Sequence, residues 1–329
     1  MNPPKGEFTK KSMIDLKNKI TKNMSANTIK ICFMVSALIL PTIGFLLFFV
    51  YVNADSVFMA FQRPDYSTGK LVENFSLENF KRIFDTNGSD FKELVEALRN
   101  TLIFFFADLL IVFPVSIIMS YFFFKKLKGY RFFRFVYYLP AIISSSVLVS
   151  LFKYSIGTGG IIDAIRYKAG ITPTHVNLLG DSPEAILTVL FYTIMFSFGG
   201  NIIIVGGSMN GTNAEVLEAG RIDGCGWTRE LVSLVIPMMW PTISTMLILR
   251  CAAVLSASGP IMVFTKGANG TMTLAFLLYR YVVGSDLGVT QDLYYVSAVG
   301  LIMTLMVFPI AMLIKHIVYS DKKDQEDVL

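Results

Sequence analysis

Two ionisable residues, Asp108 and Arg250, stand inside long apolar runs of this 329-residue chain. In hydrocarbon such groups are expensive unless they pair or line a wet cavity. If the run holding Asp108 enters a bilayer near Thr101, the carboxylate lies roughly 10 Å in at 1.5 Å per residue. The run holding Arg250 travels the other way from Pro237 and reaches the guanidinium after roughly 20 Å, about 10 Å short of the far edge of a ~30 Å core. Similar depth predicts an ion pair or two charges flanking one polar cavity, the alternative being that each bonds separately to backbone and water. Four uncharged residues in the apolar runs, Tyr192, Ser197, Asn201 and Ser256, suit a hydroxylated solute. Asn201 leads them, because a buried amide both donates and accepts, although it can equally bond a neighbouring helix. Gly199 and Gly200 fit close helix packing better than ligand contact.

Other chemistry has no support. There is no GxxxxGK[ST] phosphate loop; the nearest stretch, Ser67-Thr68-Gly69-Lys70, is followed by Leu71. His175 and His316 are far apart, and His316 beside Lys315 reads as a charge cap. Cys32, Cys225 and Cys251 have neither CxxC nor evident disulfide spacing, and no serine or cysteine sits in a nucleophile motif. A metal site, a cofactor bound by this chain and an enzyme activity are therefore not expected.

The elements that carry these residues are membrane helices. The chain is 53% apolar and 16% charged, against about 25% charged in soluble domains. Residues 31–54 carry no charge, too long a run for the ~7 to 15 residue core of a cleavable signal peptide. Further apolar runs at about 101–124, 135–152, 185–209, 236–265 and 294–314 bring the expectation to six spans in an all-α membrane protein. Lys and Arg collect on the cytoplasmic side of spans. Residues 1–30 hold seven lysines against two acids, and residues 125–134 hold Lys125, Lys126, Lys128, Arg131 and Arg134 with no acid. Residues 55–100 hold eight acids against six bases. Both termini are then cytoplasmic, and the net charge of +5 orients the chain, with no need to invoke nucleic acid. The tail over 1–30 is amphipathic, with Met13, Leu16, Ile20 and Met24 at helical spacing among lysines, and suits an anionic lipid surface or serves only orientation. The domain expectation is this basic tail, a membrane domain over 31–315 and a cytoplasmic tail over 316–329.

The loop over about 211–237 breaks the charge rule: it should be cytoplasmic by alternation, yet residues 211–230 hold two arginines against four acids. Its residues Glu218-Ala219-Gly220, Asp223-Gly224 and Ile236-Pro237 predict a short helix, a turn permitted by Gly224 or Gly226, and a second helical stretch. Small residues there let a partner approach closely, and Glu218 and Asp223 can pair with a partner's arginines or bond local amides.

This loop resembles the EAA signature of permease subunits of binding-protein-dependent ABC importers, which runs Glu-Ala-Ala, three residues, Gly, then about nine residues to an Ile-x-Leu-Pro stretch. Here Gly220 replaces the second alanine, and Asn213 and Asn53 stand where relatives often have proline. The stretches SLENFKRIF (76–84), LRNTLIF (98–104), KGYRFFRFVYYLPAIIS (128–144) and GTGGIIDAI (157–165) extend the likeness to the sugar branch, similar to maltose and glycerol-phosphate permeases, while residues 265–282 match only partly. The resemblance implies half of a heterodimeric permease pair in a bacterial cytoplasmic membrane. Its partners would be a second permease, two ATPase subunits that bind ATP and magnesium, an extracellular sugar-binding protein, and the sugar itself. Glu218, Ala219, Gly220, Asp223 and Gly224 would couple the chain to an ATPase. A permease for a non-sugar solute, or a membrane scaffold that transports nothing, are the alternative functions.

Overall fold

A computed structural model describes residues 26–64, 71–73, 75–171, 177–180, 184–256, 260–284 and 290–326. The amphipathic part of the basic tail, Ser67 to Lys70, His175 and Ser258 lie outside the described residues. The chain divides into two compact units, residues 1–59 and 60–329.

The first unit is built on helix α1, which runs through Ala26–Gly44, a π-helical stretch Phe45–Tyr51 and Val52–Ala60. From Ile31 to Phe58 its apolar residues are exposed on all sides, as suits a helix with lipid for solvent.

In the second unit a short antiparallel ribbon, β1 (Arg63–Pro64) with β2 (Leu71–Glu73), precedes α2 (Glu78–Phe84). Helix α3, Ser89–Phe124, is 36 residues long, or about 50 Å at 1.5 Å per residue, so it outruns a ~30 Å hydrocarbon core. It switches to π-helix over Asp108–Val112. Then come α4 (Tyr130–Ile142), α5 (Ser145–Ile156), α6 (Ile161–Lys168), α7 (Glu184–Phe196) and α8 (Phe198–Asn210). They are followed by α9 (Ala214–Ile222), α10 (Trp227–Met238), α11 (Trp240–Ala252), α12 (Ile261–Phe264), α13 (Leu274–Val283) and α14 (Leu293–Glu326). Among the described residues five helical runs are long and apolar enough to cross a membrane, and the bent pair α10 and α11 makes a sixth candidate.

Two of the expected spans differ from what is observed. The run 135–152 is not one helix: α4 stops at Ile142, Ile143 and Ser144 are extended, and the candidate span is Ser145–Lys168. Pro140 and the serines 144–146 interrupt helical continuity here. The run 236–265 ends early, since α11 closes at Ala252, and its entry is bent by 76° between Met238 and Trp240. A helix continuing through Pro241 would drive the proline ring into the Pro237 carbonyl, so the chain turns at Met239 and Pro241 starts a new helix in the first turn, where no amide hydrogen is needed.

Packing is organised around two separate apolar cores. One gathers Leu94, Phe104, Val149, Val189, Tyr192, Phe264, Leu277 and Tyr295 near the start of α3; the other gathers Phe113, Ile117, Tyr121, Val205, Leu217, Leu231 and Met239 near its end. In lipid these contacts stabilise through close van der Waals fit, since lipid tails are as apolar as leucine. Gly199 lets α8 approach α4: a Cβ there would stand 2.7 Å from the Tyr137 carbonyl oxygen. Gly200 meets nothing within 4 Å, so the packing reading applies to Gly199 alone.

Candidate functional site

Asp108 opens the π-helical stretch of α3, and π-turns inside α-helices commonly mark functional positions. Its carboxylate pairs with the Arg250 guanidinium of α11. Arg250 Nη2 also donates to Asn201 Oδ1 of α8 at 2.6 Å, and its guanidinium lies 4.7 Å from the centre of the Phe113 ring. The Asn201 amide nitrogen donates to the Ser197 carbonyl at 3.1 Å. Both ends of Asn201 are thus engaged within the protein, which favours a helix-bridging role over the sugar contact its amide suggested. One cation ties together three helices that are distant in sequence. Along α3 the cluster falls between Phe104 of one core and Phe113 of the other.

The other polar residues separate. Tyr192 and Ser197 line a cleft of about 390 Å³ with Ser145, Ser146, Thr193 and Pro260. Ser256 ends a 3-10 turn and lines neither this cleft nor its larger neighbour. That neighbour, about 640 Å³, continues along α5 and shares Val263 with the first.

The 211–237 loop forms a helix-turn-helix knob. Asn213 caps α9, its side-chain oxygen accepting from the Glu215 amide at 2.9 Å, which satisfies one of the orphan donors at a helix start. Gly224 sits at φ +73° between α9 and α10, a conformation that costs an L-residue roughly 1–2 kcal/mol. A Cβ on Gly220 would stand 2.6 Å from Leu234 Cδ1, the mobile end of a side chain, so the second alanine of the signature would fit after a small rotation. Leu217 turns into the core while Glu218, Ala219 and Asp223 are exposed. Around them Ile222 is 86% and Trp227 54% exposed, an apolar and acidic surface at the tip of a rigid knob.

The anchor of this knob was not singled out from sequence. Glu230, 2% exposed, accepts from Lys125 Nζ at 2.6 and 2.7 Å. Lys125 reads in sequence as one of several orienting charges at the end of α3; only the fold brings it to α10. At the other end of α3, Arg82 Nη2 pairs with Asp90 at 2.7 Å and its Nη1 with Asp292 at 2.8 Å, and Arg280 pairs with Glu93. Asn100 donates to the Gly270 and Met272 carbonyls, each at 2.8 Å, fixing the loop before α13. Among the described residues no group of three or more His, Cys, Asp or Glu is arranged to hold a metal.

Helix count, the paired intramembrane charges and an exposed knob between the fourth and fifth candidate spans fit a multi-pass membrane protein that resembles the permeases of ABC importers. No protein-family model matches the chain. It is 27% identical over 275 residues to the multiple sugar-binding transport system permease protein MsmF of Streptococcus mutans, covering 82% of this chain and 89% of that one. It is 25% identical over 242 residues, 73% of this chain and 76% of the other, to the probable ABC transporter permease protein YesP of Bacillus subtilis. Its fold matches a chain of a bacterial ABC transporter involved in the import of the acidic polysaccharide alginate, with a TM-score of 0.71, 20% identity and coverage of 89% and 97%. The likeness therefore runs to the sugar branch of the ABC permeases.

Proposed function

We propose that this chain is one of two permease subunits of an ATP-driven importer for a carbohydrate, coupled to a separate ATPase through the α9–α10 knob. The observation that carries the proposal is likeness to sugar-transport permeases over most of the chain, together with an exposed knob that bears the Glu218-to-Gly224 spacing. Residues 1–30 and 316–329 would be cytoplasmic tails of a membrane domain over 31–315. Two ATPase subunits, holding ATP and magnesium, would each grip one permease knob and close on nucleotide. Closure would draw the knob ends of the two permeases together and open the far ends to sugar from an extracellular binding protein, with lipid around the assembly. A ligand moves such an equilibrium only by its differential affinity for the two states. The clefts lined by Tyr192 and Ser197 and by α5 would form this chain's part of the path.

Deleting the gene and measuring uptake of a panel of radiolabelled mono- and oligosaccharides tests the proposal. Loss of uptake of at least one sugar, restored by the wild-type chain and not by Glu218→Ala, is expected. Unchanged uptake of every sugar would remove the transport reading.

A further inference from the structure

The larger cleft beside α5 has a chemical character that the transport reading does not require. Its lining includes Lys153, Tyr154, Thr158, Asn177 and Asn269, and no carboxylate of the described residues lines it. At about 640 Å³ it lies within the ~300–1,000 Å³ typical of small-ligand sites. Lys153 is its cation. The residue lies in the last turn of α5, where a lysine commonly serves its own helix end. Here, however, Nζ reaches across to the Val263 carbonyl of α12 at 2.9 Å. One of the three ammonium protons is thereby spent on fixing the group at the cleft wall, and two remain. Among the described residues Lys153 forms no ion pair, unlike the arginines at the start of α3.

The groups around it are those a sugar ring needs. Tyr154, also on the cleft wall, is 82% exposed and offers an aromatic surface. Asn177 uses its carbonyl oxygen to accept from the Leu179 amide at 3.1 Å, leaving its NH₂ to donate, while Asn269 donates to the Leu179 carbonyl at 2.7 Å, leaving its oxygen to accept. Two amides with opposite halves engaged by Leu179 therefore line one cleft with Thr158 and the fixed ammonium of Lys153.

We infer that this cleft is a subsite for an acidic sugar, a uronic-acid unit whose carboxylate meets Lys153 while its ring lies on Tyr154 and its hydroxyls meet Asn177 and Asn269. The inference rests on the carbohydrate-import reading and narrows its substrate class. A carboxylate meeting the fixed ammonium of Lys153 forms a charge-assisted bond, which is stronger than one between neutral groups.

The test uses the whole transporter, this chain with its partner permease, ATPases and binding protein, in proteoliposomes, given a trigalacturonate and a neutral trisaccharide at saturating binding protein. Wild type should take up the acidic sugar faster, and that uptake should fall as salt rises. Lys153→Met should slow uptake of the acidic sugar about tenfold more than uptake of the neutral sugar, the size of a lost charge-assisted contact, whereas Lys153→Arg keeps most of the preference. Equal slowing of both sugars by Lys153→Met would mean that Lys153 only pins α12 or meets the binding protein, and would overturn the inference. Uptake of the neutral sugar alone would overturn it too while leaving carbohydrate import standing; uptake of neither by a folded complex would remove both.

Discussion

At the scale of single residues, the Asp108–Arg250 pair is the most consequential feature, because each partner alone is an uncompensated charge in a low-dielectric region. Removing one member of such a pair typically costs about 3–5 kcal/mol, while replacing both is often nearly neutral. Asp108→Asn and Arg250→Gln should each lower the yield of monodisperse protein and its melting temperature in detergent, and the double variant should recover much of the loss. Additive losses would show that the two charges act independently. Asn201→Ala removes the 2.6 Å bond to Arg250 and the 3.1 Å bond to the Ser197 carbonyl but leaves the ion pair, so a smaller penalty of about 1.5–3 kcal/mol is expected on the same assay. If Asn201→Ala instead leaves stability intact and abolishes sugar uptake, the amide belongs to the transport path after all.

At the scale of elements, the knob is a short helix pair held by a left-handed turn at one end and a buried ion pair at the other. No atom lies within 4 Å of a Cβ built on Gly224, so a substitution there strains the backbone and clashes with nothing. Gly224→Asn should therefore cost less than Gly224→Ala, and Gly224→Val most, since asparagine tolerates the left-handed region and β-branched residues do not. Co-purification of the ATPase subunit with the tagged permease should fall in that order, with membrane insertion unchanged. Lys125→Met should release the knob differently: it leaves Glu230 buried and unpaired, lowers thermal stability, and is compensated by adding Glu230→Gln. An uncompensated double variant would mean that the lysine acts on lipid headgroups instead of Glu230.

At the scale of the whole molecule, the two apolar cores meet near the Asp108–Arg250–Asn201 cluster, so the packing is divided where three helices share one cation. If the proposed import runs by alternating access, a packing divided at a polar seam is where two discrete arrangements could differ. Orientation can be checked separately. In a cysteine-free background, Asn87→Cys and Lys128→Cys both place an exposed thiol near opposite ends of α3. An impermeant maleimide applied to intact cells should label the first alone, because the lysine-rich side faces inward; the reverse pattern would invert the chain in the membrane.

Much of this was legible in the sequence because bilayer thickness and desolvation cost act on local composition. An uncharged run of helical length and a charge inside such a run carry their meaning without knowledge of neighbours, and so the existence of most spans and the pairing of Asp108 with Arg250 could be read. The Glu218-to-Gly224 spacing likewise predicted the helix, the turn and the second helix of the knob, since Gly224 alone there takes a positive φ. What sequence reading misplaced depended on contacts between distant segments or on backbone breaks inside apolar runs. The breaks at Ile143 and Met239 are invisible to a hydropathy window, because isoleucine and methionine read the same in a bent or a straight helix. Asn201 reads as an available amide until Arg250 of another helix reaches it, and Lys125 reads as an orienting charge until Glu230 is folded against it. Side-chain type determined which groups needed partners; only tertiary structure decided which partners they found, because that choice is made by packing between segments as much as 210 residues apart.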